Sequence, residues 1–296
     1  MAVSDFRITQ RTLSSEVMSN LQRSLGKLQQ IQEQMSSGKV LNRPSDSPTA
    51  AVSSLAFRSQ LTRSQQYQRN ISDGIGWLGI ADSTLQSVVS SMQRVRQLAV
   101  NGTDGAMSSQ DRSALAEEVD QLRAGLVTLA NTTYQNRPLF GGNTTSATAY
   151  DANGVYQGDS GGVTRTIAPG VQLDVNVTGG AVFGSGASGL FGTLQQLSDD
   201  LRTNPANLQG DLTAIDGHMT TILSALGDVG ARYRRLETTK NSLDTNVTGL
   251  QQSLSEVEDV DLPQVIMQLQ TQQVAYQAAL AATSKVIQPS LVDFLK

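Results

Sequence analysis

The sequence predicts a mainly α protein: a long antiparallel, coiled-coil-like helix bundle formed by N- and C-terminal segments, with a small β-rich insert in the middle. Three observations predict it. Apolar residues recur in alternating steps of three and four along both outer parts of the chain, the mark of helices buried along a narrow seam. Only 38% of the 296 residues are hydrophobic and 4% aromatic, too few for one thick core but enough for helices that each bury a stripe. Between the helical parts, a Gly/Thr-rich stretch switches to a period of two.

The first helical segment carries Met18, Leu21, Leu25, Leu28 and Met35 on one stripe, widened by Ile31 and broken by Gln32. Ser36-Ser37-Gly38 ends it, with Gly38 suited to a left-handed C-terminal position. Pro44 and Pro48 exclude continuous helix through the next ten residues. Ser47-Pro48 reads as an N-cap followed by a first-turn proline. A second helical segment extends to about residue 100, with Ile71, Ile75, Leu78, Leu85, Val89 and Met92 in register and Asp82 on the same stripe. Gly74, Gly76 and Gly79 weaken it by roughly 1 kcal/mol each relative to alanine. After the turn cluster Asn101–Gly105, Ser108 and Asp111 resemble a capping box, and Leu115, Val119, Leu122, Leu126 and Leu129 follow in helical register.

Val163, Arg165 and Ile167 alternate with their neighbours, as do Val171, Leu173, Val175 and Val177, and Ala168-Pro169-Gly170 lies between the two runs. This predicts a β-hairpin. Tyr156–Asp159 is assigned to a neighbouring strand and turn. The longest pattern then runs without a slip through Leu212, Ile215, Met219, Ile222, Leu226, Val229, Tyr233, Leu236, Lys240, Leu243, Val247, Leu250, Leu254 and Val257. As one helix, 212–257 would extend about 68 Å. A final helix from about Leu262 places Ile266, Leu269, Tyr276, Leu280, Ile287 and Phe294 on a weakly apolar stripe, which is marginal alone in water. Pro289 implies a kink near the end.

These segments predict three regions: residues 1–40 with 258–296 as a terminal coiled coil, 41–142 with 193–257 as a helical rod, and 143–192 as the outer insert. The two ends complete one another, and each remains short of apolar partners. Pairing with sister molecules follows as an expectation.

Composition excludes several classes. There is no cysteine, so disulfides and thiolate metal sites are absent. The formal charge of -4 gives no basis for nucleic-acid or anionic-membrane binding. Residues 1–142 carry a net +3 and 143–296 a net -7, a mild complementarity between halves. The sequence start has no apolar core or cleavage site of a secretory signal, and no run reaches the roughly 18 apolar residues of a membrane span. No cofactor is expected.

Isolated residues read as structural. His218, the only histidine, lacks the neighbours of a triad or a histidine metal site. Asp82 is expected at the seam edge, paired with an arginine of a neighbouring helix, and Lys240 as a snorkelling stem. Glu256, Glu258, Asp259 and Asp261 read as a solvated helix start rather than a calcium site, since the glycine-spaced loop is missing. Gly141-Gly142 and Gly161-Gly162 are not phosphate loops. Trp77 reads as a core anchor between helices.

Several of these residues carry a family resemblance. Met35–Lys39, Arg43-Pro44-Ser45-Asp46-Ser47-Pro48, Asn70, Trp77-Leu78, Asp111-Arg112, Leu129–Thr132, Phe140-Gly141-Gly142, Tyr156–Asp159, Ala275–Ala281 and Ser290–Leu295 resemble the flagellin superfamily. Within it they are similar to the hook-associated proteins of the hook–filament junction, a likeness strongest over 30–142 and 225–296. Pro44 and Pro48 point to that branch, whereas flagellin filament subunits usually have alanine and a paired Asp-Asp there. Ser47 stands where a second aspartate is common, and the insert is compact, so flagellin itself is the alternative. A cytoplasmic helical scaffold is a third reading from another class.

The resemblance implies a structural subunit of the bacterial flagellum and not an enzyme. It implies export through the flagellar type III apparatus without a cleaved signal, and a cytoplasmic chaperone on the C-terminal helix. Its partners would be a ring of like subunits, the first hook-associated junction protein, and flagellin. The terminal stripes would serve assembly, and the insert would face outward.

Overall fold

The computed structural model describes residues 10–144 and 147–287. Helices α1 (Gln10–Ser37), α2 (Pro48–Gly102) and α3 (Ser109–Ala130) precede a β-rich stretch containing β1 (Thr133–Tyr134), β2 (Arg137–Pro138), β3 (Thr164–Ala168) and β4 (Val171–Asp174). The short α4 (Gly179–Val182), then α5 (Leu190–Thr203), α6 (Leu208–Glu258) and α7 (Leu262–Ile287) complete the order. The chain forms two compact units, one of residues 1–62 with 248–296 and the other of 63–247. Helices α2 and α6 each contribute to both. The expected mainly α bundle with a small β insert is the observed fold class.

In the first unit, α1 packs against α7. The Gln272 amide donates to the Ser24 carbonyl at 3.2 Å and its hydroxyl at 2.8 Å, while Gln34 and Gln264 line one groove further along. The helices therefore run antiparallel. Gly38 has φ +69° and its N–H donates to the Gln34 carbonyl at 2.9 Å, closing α1 as its sequence requires. Ser47 caps α2, with the Ala50 N–H 3.3 Å from its hydroxyl. Asp261 opens α7 by accepting from the Gln264 N–H at 3.2 Å.

In the second unit, the α6 seam lies where the spacing put it. Ile215, Ile222, Val229 and Leu236 are fully buried at heptad intervals, and the intervening seam residues Leu212, Met219, Leu226, Tyr233 and Leu243 are half-buried against the same core. Lys240 extends to Asp244, one turn on, at 3.2 Å. The glycines of α2 do not break the helix. A β-carbon at Gly74 would lie 2.9 Å from both Leu236 and Val175, and one at Gly76 would lie 2.6 Å from the Tyr134 hydroxyl. Their cost in propensity is offset by the close approach they permit.

Ser108 caps α3, accepting from the Asp111 N–H at 3.1 Å while its hydroxyl donates to the Asp111 carboxylate at 2.7 Å. The hairpin is β3–β4, antiparallel, with Thr164 opposite Asp174 and a register shift between Thr166 and Ala168. Gly170 takes φ +71° in its turn. The ladder stops at Asp174, short of the predicted alternation through Val177. The Asn176 amide fills that end, accepting from the Val163 N–H at 2.7 Å and donating to the Gly161 carbonyl at 3.0 Å.

Two expectations need correction. Among the described residues Asp82 has no arginine partner of the kind expected; it accepts from Gln86, one turn on in the same helix, at 2.6 Å. Trp77 is buried in the core and its ring also meets the β1–β2 hairpin, edge-on to Tyr134 at 5.5 Å, with the Arg137 guanidinium 5.9 Å from its ring centre. Glu258 is not solvated and does not start a helix. It ends α6 and is buried. Helix α5 is an addition to the expected elements: Leu190, Leu194, Leu197 and Leu201, all buried, have helical 4-3-4 spacing. It packs on α3.

Candidate functional site

The predicted terminal stripes fall on two faces. On α1, Leu21 is buried and Leu28 half-buried, while Met18, Leu25 and Met35 are exposed. On α7, Val265 is buried and Leu269 and Tyr276 are half-buried, while Ile266 and Leu280 are exposed. The buried and half-buried positions of α7 are Val265, Leu269, Gln272, Tyr276, Ala279 and Thr283, again in steps of four and three. Two of the six are polar by type, so a single α1–α7 pair buries little. Met267 at 62% and Val274 at 65% exposure add to the uncovered apolar surface. Ile287 closes α7; Phe294 lies outside the described residues.

The loops joining these helices are tightly fastened. Lys39 bridges Asp259 in antiparallel fashion: the Val40 N–H donates to the Glu258 carbonyl at 2.7 Å and the Val260 N–H to the Gly38 carbonyl at 3.0 Å. The Glu258 carboxylate accepts from Arg58 Nε at 2.7 Å and Nη2 at 2.6 Å, from Lys39 Nζ at 2.8 Å, and from the Ser54 hydroxyl. The Arg58 guanidinium, followed by Lys39 and Ser54, holds its pKa down at about 2 against the desolvation that would raise it. In the turn before α2, Asp46 accepts from the Arg43 N–H at 2.8 Å and the Asn42 N–H at 3.2 Å. Arg43 pairs with Glu33 at 3.2 Å, and Pro44 is exposed between them.

The second unit explains the other motif residues. Asn70 donates to the Thr166 carbonyl at 2.8 Å, tying α2 to β3. Asn131 pins the entry to the insert: its oxygen accepts from the Ala149 and Tyr150 N–H groups at 2.9 and 2.8 Å, and its amide donates to the Tyr150 carbonyl at 2.9 Å. Phe140-Gly141-Gly142 meets Tyr156–Asp159. The Tyr156 hydroxyl lies 2.9 and 2.8 Å from the carbonyls of Phe140 and Asp159. The Asp159 N–H donates to the Gly141 carbonyl at 3.1 Å, and its carboxylate accepts from the Asn143 and Gly161 N–H groups at 2.7 and 2.8 Å. Those two N–H bonds lower the Asp159 pKa. Phe140, Tyr150, Phe183 and Phe191 form a buried aromatic core around this joint.

Gly142 has φ +73°, and a β-carbon there would collide with Asp159. Gly142→Ala is expected to lower stability by about 2 kcal/mol, from positive-φ strain and the displaced Asp159. Thermal unfolding followed by near-ultraviolet dichroism checks this.

His218 is half-buried with Nε2 3.1 Å from the Thr193 hydroxyl, and burial lowers its pKa. Its contact is a helix-to-helix hydrogen bond, as a structural role requires.

The arrangement defines a class: a helical subunit with a firmly built second unit and incompletely covered terminal helices, suited to association. Residues 8–145 match the bacterial flagellin N-terminal helical region and residues 212–295 its C-terminal helical region. The chain belongs to the bacterial flagellin family. It is 26% identical to flagellar hook-associated protein 3 of Salmonella typhimurium over 92% of this chain and 94% of that protein. It is 27% identical to a flagellin of Halalkalibacterium halodurans over 91% of each. The crystal structure of Bacillus cereus FlgL superposes with a TM-score of 0.60 at 27% identity, covering 68% of this chain and 99% of that one. The family is structural and flagellar, and among the described residues no helix is long and apolar enough to cross a membrane.

Proposed function

We propose that this chain is the flagellar junction subunit that connects the hook to the flagellin filament. The observation that carries the reading is the likeness to Bacillus cereus FlgL over nearly all of that chain. Hook-associated protein 3 of Salmonella, matched over 94% of its length, supports it. The subunit acts by geometry: exposed apolar residues of the terminal helices, including Met18, Leu25, Met35, Ile266 and Leu280, pack against like subunits in a ring. The first hook-associated protein lies below that ring and flagellin above. The three-region division, with 1–40 and 258–296 innermost and 143–192 outermost, belongs to the same proposal. So does export through the flagellar type III route with a chaperone on the C-terminal helix.

The test is electron microscopy of a deletion strain complemented with variants. Loss of the gene should leave hooks without filaments and flagellin shed into the medium. Leu280→Asp should preserve the helical dichroism of the isolated protein and fail to restore filaments, because it places a charge on an exposed apolar position that assembly covers. Normal filaments in that strain would overturn the reading. The chain should also be a trace component of sheared filaments. Dominance there would make it the filament subunit, the role of its Halalkalibacterium relative.

A further inference from the structure

We propose that Asp200 and Asp211 hold one proton between them, and that this shared proton fastens the start of α6 to the end of α5, tightening the join in acid and slackening it in alkali. The inference is independent of the junction reading. It rests on an unmet need in the core of the second unit. Asp200 and Asp211 are 6% and 5% exposed, and one carboxylate oxygen of each, Oδ2, is buried without a donor. The Asp200 carboxyl is near enough to act on Asp211, by charge and as a hydrogen-bonding group. Two ionised carboxylates cannot satisfy each other at that distance, whereas a carboxylic acid and a carboxylate can.

Among the described residues, no cation acts on Asp211. Asn207 donates to Asp200 Oδ1 at 3.2 Å and is neutral. On α5, Arg202 is committed to Asp120 of α3 at 2.7 Å and to the Ser198 hydroxyl at 2.6 Å, and Asp199 accepts from Gln195 at 3.3 Å. Glu117 of α3 acts on Arg202 by charge. On α2, Arg94 pairs with Glu118 and Arg96 with Asp216 of α6. Arg112 donates to the Met107 carbonyl, and Asp104 accepts from the Ala106 N–H. Gly102, at the end of α2, brings its backbone against Leu201 and Leu208, where a β-carbon would collide with Leu201. Leu201 and Leu208 are both fully buried. His218, two turns further along α6, bonds Thr193.

Desolvation, reinforced by Asp200, raises the Asp211 pKa to about 6. The folded state therefore binds a proton that the unfolded chain releases down to its ordinary value of 3.8. Stability rises as pH falls from about 6 toward 4 and is lost as pH rises through about 6. His218 contributes with the opposite sign: burial lowers its pKa from the ordinary 6.5, so its contribution is present above 6.5 and is lost as pH falls through the lowered value. Comparison with Asp211→Asn cancels the histidine and isolates the pair.

The experiment uses the full chain. Carbon-13 NMR of the side-chain carboxyls should reveal an aspartate titrating near pH 6 that disappears in Asp211→Asn. In denaturant titrations, the wild-type unfolding constant should fall about tenfold relative to that variant between pH 8 and pH 5. Asp200→Asn provides the same comparison from the other side should the first variant fold poorly, and the wild-type NMR titration needs no variant. Parallel pH curves, or no carboxyl titrating near 6, overturn the proposal. So does stabilisation of the wild type, but not of Asp211→Asn, by millimolar magnesium or calcium at pH 8, which would mean that a metal cation occupies the place of the proton.

Discussion

Replacing Glu258 by alanine is expected to cost the first unit about 2–3 kcal/mol at pH 7. Its carboxylate is buried and accepts from Arg58, Lys39 and Ser54. Removing one member of such a cluster leaves the others unpaired, and charge-assisted bonds are the strong ones. The cost is below the upper end for buried pairs because Arg58 and Lys39 are 52% and 41% exposed and can turn to water. Hydrogen exchange provides the local readout. The Val40 N–H bonds to the Glu258 carbonyl and the Val260 N–H to the Gly38 carbonyl, and both should lose protection together. The folded pKa of Glu258 is depressed to about 2 from 4.5. Its contribution is therefore present above 4.5 and is lost as pH falls through about 2. The gap between wild type and Glu258→Ala should close over that window and stay constant from pH 5 to 8. Unchanged protection at Val40 and Val260 would contradict the assignment.

Phe183→Ala is expected to destabilise the second unit by about 3–5 kcal/mol. Phe183 is fully buried and meets Phe140 at 5.2 Å, Tyr150 at 5.9 Å and Phe191 at 6.0 Å between ring centres. Its backbone is held on both sides, the N–H donating to Gly179 and the carbonyl accepting from Leu190, so the site has little freedom to collapse onto the void. Chemical denaturation with near-ultraviolet detection measures the loss. Phe183→Leu should recover more than half of it by refilling most of the volume.

The two substitutions address different kinds of information. The seam of α6 was legible because helix periodicity is local. Fourteen positions in unbroken steps of three and four specify which face is buried before any partner is known. The capping of α2 and α3, the left-handed Gly38 and the β3–β4 turn were legible for the same reason, since a cap or turn is satisfied within four residues. The leucines of α5 carry the same spacing, but over a run too short to stand out from its neighbours.

Glu258 and Asp211 show the limit of sequence itself. Each lies in an ordinary acidic context, and nothing within a few positions separates Glu258 from exposed Asp259 and Asp261. Its donors are 200, 204 and 219 residues earlier in the chain, and only tertiary packing brings them within 3 Å. Asp200 and Asp211 likewise become a pair only when α5 and α6 meet. Likewise, Met18, Leu25, Ile266 and Leu280 look like their buried stripe-mates in sequence, and only the observed pairing of α1 with α7 leaves them uncovered.

The sequence alone therefore determined the fold class, the helical faces and the turns, because steric periodicity and backbone hydrogen bonding act over a few residues. The tertiary structure alone decided which acids are buried, which carboxylate meets an arginine and which another acid, and which apolar residues lack cover. Desolvation and charge pairing depend on distances in space, which the order of residues along the chain does not encode one position at a time.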